Sequence, residues 1–509
     1  MELEFNYETL TDYQKAVETA VCQEETLESI VPDACPDILS ILDVCGQAIL
    51  TGKQARKGIA EVEGTIKAVI LYQPESGVGL RNMEVSLPFR CQAEAPELTE
   101  RGYVSAVPRL RFAQAKALNP RKVLIRVDLL VDVTAYEPKE VLLNDSVSKP
   151  EDDSICQKFY TGAYYQRLSV QDKPFTFTDQ IRIQTAPGDS GQILTCQARA
   201  VCIESNLIGN KLIFKGNAEL SFLLQNGDGS LSPVHEVLPF SQIMEIPGVG
   251  EQSDCQVQTE ITGIHYEPIN NDGKDYEITL DLLAQAEVYC HRPITMLQDL
   301  YSTKCYMDVE RKQQTVHLFC DQFVRTQSVR EMFDAENMVR YILDSRFSMG
   351  KLTVQREGQE FLLTQEVVLS ILYLDEDECT KCMHQTLPVT CRVPAEDHMS
   401  CSSRCFIPGD LYTSPAAGGL EVRFTAEFHC IYAAECALDM VSAAKAGESR
   451  ERDQEKRPSI VLRLATPDEE LWSLAKAYGT TTDQIMQANE LDTEELTESR
   501  MLLIPSSAK

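Results

Sequence analysis

The chain has 509 residues, room for about three to four domains of ordinary size, and at 43% hydrophobic it can bury real cores. Acidic residues outnumber basic ones by 78 to 47, a formal net charge of −31, which argues against a nucleic-acid binder and against electrostatic docking on an anionic membrane. The longest apolar stretch, Val367 to Leu374, has the length of a strand and not of a membrane-crossing helix.

At the N-terminus, Met1-Glu-Leu-Glu-Phe5 offers neither a basic nor an apolar targeting region, so the expected compartment is the reducing cytoplasm. The 18 cysteines are then expected to be free thiols, mostly buried as small apolar groups.

The first 440 residues repeat with a period of about 150 residues. Gly64-Thr-Ile-Lys-Ala-Val-Ile-Leu-Tyr72 leads through a turn to Leu87-Pro88-Phe89. The same order returns as Gly216 to Leu224 with Leu238-Pro239-Phe240, and again as Gln365 to Tyr373 with Leu387-Pro388-Val389. The intervening tips are turn-rich, and the Asn-Gly and Asp-Gly of Gln225-Asn-Gly-Asp-Gly-Ser230 supply the positive φ angles of tight hairpins. A second landmark closes each unit: Lys122 to Tyr136, Asp275 to Tyr289 and Gly418 to Tyr432. In the last, Val422, Phe424, Ala426 and Phe428 alternate with Arg423, Thr425, Glu427 and His429, the period-two signature of a half-buried strand.

Each unit therefore reads as antiparallel β, with about six to eight strands. The boundaries drawn from these landmarks are a first repeat over 1–140, a linker over 141–165, a second repeat over 166–292, a divergent third over 293–440, a charged tether over 441–458 and a small module over 459–509. The tether is expected from its Ala, Ser and mixed charge with few apolar residues, a composition that cannot offset the entropy of ordering.

The final module has a βααβ pattern. Ile460, Leu462 and Leu464 mark a short strand; Leu471, Leu474, Ala475 and Tyr478 fall on one face of a helix that Gly479 ends. Thr481 and Gln484 make a capping box for a second helix, with Ile485 and Ala488 inward, and Met501-Leu-Leu-Ile-Pro505 returns as a strand.

The string from Pro467 through Thr481, with Ile485, Ala488-Asn489, Leu491 and Leu503-Ile-Pro505, resembles a LysM domain over essentially its whole length. LysM domains typically bind N-acetylglucosamine-containing glycans such as peptidoglycan, beside the loop that precedes the first helix. In this copy Asp468-Glu469-Glu470 replaces the usual Gly-Asp-Thr and Ser499 replaces the glycine before the last strand, so the implied groove is acidic. A protein surface thus stands beside glycan as its ligand, with Asp468, Glu469, Glu470 and Asn489 as exposed contact residues. Trp472, the one tryptophan, reads as a core residue from its apolar neighbours.

The stretch Val31-Pro-Asp-Ala-Cys-Pro-Asp-Ile-Leu-Ser-Ile-Leu42 followed by Leu87-Pro88-Phe89, the stretch Leu238 to Gly248 and Leu300-Tyr-Ser302 resemble the SPOCS domain of endospore-forming bacteria, more loosely in the third unit. SPOCS repeats ending in one LysM domain are the architecture of SipL-like spore-coat morphogenetic proteins. The fold class expected is mainly β: three tandem antiparallel β-rich SPOCS-type repeats, a flexible tether and a small α+β (βααβ) LysM-like module. The resemblance implies a non-enzymatic adaptor in the mother-cell cytoplasm at the forespore surface. Such a protein helps localise the basement layer of the coat by binding a coat-anchoring ATPase through its LysM end, with other coat proteins as partners. The competing reading is a peptidoglycan-binding, cell-wall-associated protein.

No cofactor is expected. Cys379-x2-Cys382, with His384, Cys391, His398 and Cys401-x3-Cys405, has ligands enough for zinc, and Cys379, Cys382, Cys401 and Cys405 are the zinc candidates. Against zinc, the first pair falls on a repeated hairpin tip and the other repeats hold nothing equivalent, so incidental thiols are preferred. Gly188-Asp-Ser-Gly191 has the form of a protease nucleophile motif, but no histidine precedes it, and it reads as a turn. Asp375-Glu-Asp-Glu378 lacks calcium-loop spacing, and no phosphate-binding loop is present.

Overall fold

The computed structural model describes residues 2–77, 79–148, 154–183, 191–249, 253–270, 274–396, 398–409, 411–450 and 460–505. The first unit opens with a long strand, β1 (Phe5–Ile30), and continues through a meander of β2 (Ile38–Arg56), β3 (Ile59–Pro74) and β4 (Arg81–Glu94). After β5 (Tyr103–Asn119) it closes with β6 (Lys122–Val147), which runs back antiparallel along the whole of β1. The second unit repeats this order with β7 (Ile155–Arg182), β8 (Gln192–Ile208), β9 (Lys211–Gln225), β10 (Leu231–Glu245), β11 (Ser253–Pro268) and β12 (Asp275–Ser302). The third does so with β13 (Cys305–Asp334), β14 (Val339–Glu357), β15 (Glu360–Asp375), β16 (Thr380–Pro394), the divided pair β17 (Met399–Phe406) and β18 (Tyr412–Ala416), and β19 (Gly419–Ser449). The triplication is real, and the units hold six, six and seven strands, within the six to eight expected.

A unit consists of two antiparallel sheets, a meander such as β2-β3-β4 and a second sheet with the closing strand at its centre, as in β1-β6-β5. Apolar residues from the two share one core: Val62, Ile66 and Ile70 of β3 cluster with Val123, Ile125 and Val127 of β6. In the third unit Val422, Phe424, Ala426 and Phe428 are all buried, as their alternation predicts.

The close fit of this core explains the glycine within the central meander strand of the first two repeats. A Cβ on Gly64 would lie 2.3 Å from the carbonyl oxygen of Ile49 and 2.3 Å from the Phe89 ring; on Gly216 it would meet Val201 at 2.3 Å and Phe240 at 2.5 Å. The Gly64→Ala change is expected to destabilise the chain by about 1–3 kcal/mol through overpacking, measured as a lower denaturation midpoint. An unchanged midpoint would mean that Phe89 swings clear and that β2 shifts away from β3 at Ile49.

The expected linkers are corrected by the closing strands. Residues 141–147 belong to β6, 155–165 to β7 and 441–449 to β19, so the boundaries at 140, 165, 292 and 440 all cut through strands. Residues 451–458 of the expected tether lie outside the described residues. The physical reason is tertiary: the pairs β1/β6, β7/β12 and β13/β19 continue past their sandwiches as ribbons whose ends pack together. Leu10 and Leu143 of the first, Tyr164 and Met296 of the second, and Val316 and Met440 of the third share one core. A neighbouring cluster buries Val441 and Ala444 against Val147, Leu297 and Leu300. Small residues suit this crowded junction, so a segment poor in large apolar side chains is ordered by its neighbours.

At the other end the meander tips converge. Leu71, Leu223 and Leu372, which hold the same position in the three repeats, cluster with Leu80, Leu194 and Leu343. The meander of each repeat touches those of both others, β2 against β16, β8 against β4 and β14 against β10, so the repeats close a ring.

Candidate functional site

The C-terminal module is built as its pattern predicts. Strand β20 (Ile460–Ala465) pairs antiparallel with β21 (Arg500–Pro505), and two helices, α1 (Leu471–Tyr478) and α2 (Thr482–Asn489), lie between them in the chain. Gly479 ends α1 in the left-handed conformation at φ 69°, and the reciprocal Thr481–Gln484 capping box opens α2. Leu471, Ala475, Ile485, Leu502 and Ile504 form its core.

Asp468, Glu469 and Glu470 line a groove of about 810 Å³ with Val461, Arg463 and Tyr478. The acid triplet is partly engaged: Glu469 Oε1 accepts from Arg463 Nη2 at 2.6 Å and its Oε2 from the Thr466 amide at 3.1 Å. Glu470 pairs with Lys158 of β7 at 2.6 Å. Asn489, expected as an exposed contact residue, is corrected to a structural one. It is 9% exposed, its Nδ2 donates to the carbonyls of Ile485 and Leu503 at 2.7 Å each, and its Oδ1 accepts from the Leu503 amide at 2.7 Å. A side chain that joins α2 to β21 in this way is not free to meet a ligand.

Two features of the module escape a pattern reading. The first is an exposed apolar face on its small sheet. Ile460, Leu462, Leu464, Met501 and Leu503 are between 38% and 65% exposed, and the register places Leu462 opposite Leu503 and Leu464 opposite Met501. The other phase of the strands, Ala465, Leu502 and Ile504, is buried. The signal was in the sequence: both phases of Ile460–Ala465 are largely apolar, more than one core requires.

The second is docking on the ribbon junction. Trp472, expected in the module core, packs edge-on against Tyr301 of β12 with ring centroids 4.8 Å apart, and its Nε1 donates to Asp299 Oδ2 at 2.9 Å. Lys476 Nζ reaches both Asp299 oxygens at 2.7 Å, and Arg311 pairs with the same carboxylate at 2.5 Å. Burial alone would raise the Asp299 carboxyl, but hydrogen bonds from Lys476, Trp472 and Arg311 outweigh it and hold it below the usual range.

Between the repeats lies a cavity of about 1840 Å³ lined by all three. Its charges are paired both across a repeat boundary and within one repeat. Glu287 of β12 takes Arg404 of β17 at 2.5 Å and Arg167 of β7 at 3.4 Å. Burial would raise Glu287; the Arg404 and Arg167 guanidiniums overcome it and hold the carboxyl down at about 2.

The four zinc candidates are not brought together. Cys379 is exposed at the β15–β16 tip, whereas Cys401 and Cys405 sit on β17 paired with β19. Among the described residues the one cluster of three potential ligands joins Cys382 and His384 to Asp43, a residue more than three hundred positions away. Residues 188–190 of the Gly-Asp-Ser-Gly stretch lie outside the described residues. Among the described residues no helix is long and apolar enough to cross a membrane.

Comparison with known proteins agrees with this architecture. The model of the family described as SipL, SPOCS domain matches residues 37–117 and 189–269, which span β2–β5 and β8–β11, and the LysM domain model matches 466–505. No curated protein matches the chain. Both are non-catalytic domain types. The third repeat lies outside the SPOCS matches and nonetheless has their strand order. A ring of SPOCS-type repeats carrying one C-terminal LysM domain is the make-up of a SPOCS-plus-LysM protein of the SipL type.

Proposed function

We propose that this chain is a non-enzymatic adaptor of spore-coat assembly. The ring of repeats is the scaffold, and the LysM domain captures a protein partner, a coat-anchoring ATPase of the basement layer, at the forespore surface in the mother-cell cytoplasm. Other coat proteins are its further partners. The observation that carries the protein-binding part is the apolar face of β20 and β21. Five exposed aliphatic side chains on one sheet cost free energy in water and suit a protein interface better than a sugar, whose hydroxyls need polar partners. The acidic groove around Asp468 and Glu470 adds a preference for a basic rim on that partner. A second reading, peptidoglycan binding, is favoured by the LysM match itself.

The test uses the full chain and a purified coat-anchoring ATPase. Leu462→Glu combined with Met501→Glu is expected to weaken capture at least about tenfold, because each places a charge in an apolar contact. Asp468→Lys with Glu470→Lys is expected to weaken it less and to change its salt dependence. Unaltered Trp472 emission verifies that the domain stays folded and docked. Capture that survives the face variants, together with sacculus binding that the groove variants abolish, would replace the adaptor reading with the glycan one.

A further inference from the structure

We propose that Asp43, Cys382 and His384 bind one divalent transition-metal ion of the zinc class at the seam where the first and third repeats meet. Asp43 lies on β2; Cys382 and His384, two residues apart on β16, share one face of the strand. Their ligand atoms all fall within 4.8 Å of one another. His384 Nε2 is 3.6 Å from Cys382 Sγ and 3.5 Å from Asp43 Oδ1. Metal–ligand bonds of about 2.0–2.3 Å in a tetrahedron require ligand atoms about 3.3–3.8 Å apart, and both of these edges fall in that range.

The surroundings are organised for a cation. Asp43 is 4% exposed; Arg346 donates to its Oδ2, while Oδ1 has no hydrogen-bond partner and faces His384. A buried carboxylate oxygen without a donor is costly, and an ion would satisfy it. The other ring nitrogen of His384, Nδ1, shares a hydrogen bond with Ser370 Oγ at 2.9 Å, which fixes the ring and leaves Nε2 for the metal. Arg346 also pairs with Asp344 at 3.1 Å. Two carboxylates and one thiolate then face one guanidinium and one divalent ion, a neutral set. Binding releases the Cys382 thiol proton to solvent as the metal–sulfur bond forms. His384, Asp344 and Arg346 line the central cavity, which gives the ion a route in and leaves the fourth position for water.

The repeats supply an internal comparison. The serine–histidine pair recurs as Ser221–His235 at 2.8 Å in the second repeat, with Val69 and Glu84 at the same register in the first. The position of Cys382 is held by Pro233 and Asn82, and that of Asp43 by Thr195 and Asp344. Each of the other two seams thus lacks at least one ligand. The seam with all three is the one joining first and third repeats, which do not follow one another in the chain, so the ion completes a ring that the covalent backbone leaves open.

The full chain, freed of metal with a chelating resin, is titrated with Co²⁺ as a spectroscopic probe and then with Zn²⁺, and bound metal is counted by elemental analysis. The expected result is one ion per chain and a thiolate-to-cobalt absorption that zinc displaces. Cys382→Ser and His384→Gln should each lose the absorption and at least about tenfold in affinity, while Cys379→Ser retains both. No bound ion in the parent chain, or an absorption that persists in Cys382→Ser, overturns the site. Should the variants misfold, alkylation of the parent protein decides: zinc is expected to protect Cys382 from iodoacetamide, and equal labelling with and without zinc overturns the proposal.

Discussion

Glu287→Gln is expected to lower the stability of the chain by about 3–5 kcal/mol at neutral pH, the usual consequence of removing one member of a buried ionic cluster. Glu287 serves two guanidiniums that come from different repeats, Arg404 at 2.5 Å and Arg167 at 3.4 Å, and its side chain is nearly enclosed. Glutamine keeps the shape and loses the charge, so both arginines remain in the cavity without their counterion. The pH dependence follows from the depressed carboxyl. An unfolded glutamate titrates near about 4.3 and the native one at about 2, so the stabilisation is fully present above pH about 4.5 and fades as pH falls towards 2. That span amounts to about 3 kcal/mol, in line with the substitution estimate. Denaturant titrations at pH 7 and pH 3 should therefore show a wide gap between parent and variant at the higher pH and a much smaller one at the lower. Equal midpoints at pH 7 would mean that the apolar ribbon junction alone holds the repeats together.

The reach of sequence reasoning follows from the range of the contacts involved. Strand alternation, hairpin tips, the Gly479 cap and the Thr481–Gln484 box are written in residues a few positions apart, and each appears in the structure where its pattern places it. The repeats end beyond their landmarks because β6, β12 and β19 outrun their own sandwiches, and what orders Val441 and Ala444 is Val147, Leu297 and Leu300 from the other two units. No local pattern encodes that. The proposed metal site shows the same limit: Cys382 and His384 stand two residues apart in the sequence, but the partner that the fold supplies is Asp43, not a further cysteine. Asn489 departs from its expected exposure for the opposite reason. A polar residue at a helix end reads as exposed, whereas here three hydrogen bonds compensate its burial. The apolar face of β20 was present in the sequence as a strand apolar on both phases, and its meaning depends on knowing which phase the helices cover.

Tyr301→Ala is expected to release the LysM domain from the ring, with the domain itself remaining folded. Tyr301 is 1% exposed, stacks edge-on with Trp472 and donates its hydroxyl to the Thr480 carbonyl at 2.7 Å. It is thus the ring's main contribution to the core that also holds Leu471, Leu474 and Ala475. Truncating a buried aromatic costs about 3–5 kcal/mol, and here that cost falls on docking, because the helices keep their own apolar contacts and capping box. Asp299→Ala acts on the same contact from its polar side, removing the acceptor for Trp472 and Lys476 at a smaller cost of about 1–3 kcal/mol. The chain's single tryptophan is the reporter, since its indole lies in the interface. Undocking should shift its emission to the red and raise its quenching by acrylamide, strongly in Tyr301→Ala and less in Asp299→Ala, while helix content stays constant. Emission and quenching identical to the parent in both variants would show that the domain is held elsewhere, through Lys158–Glu470 and Arg450, and would remove Tyr301 from the docking argument. With docking lost, the apolar face of β20 and β21 would no longer be presented at a fixed angle to the ring. A partner that touches both would then bind more weakly through lost pre-organisation, without any change in its own contacts to the domain.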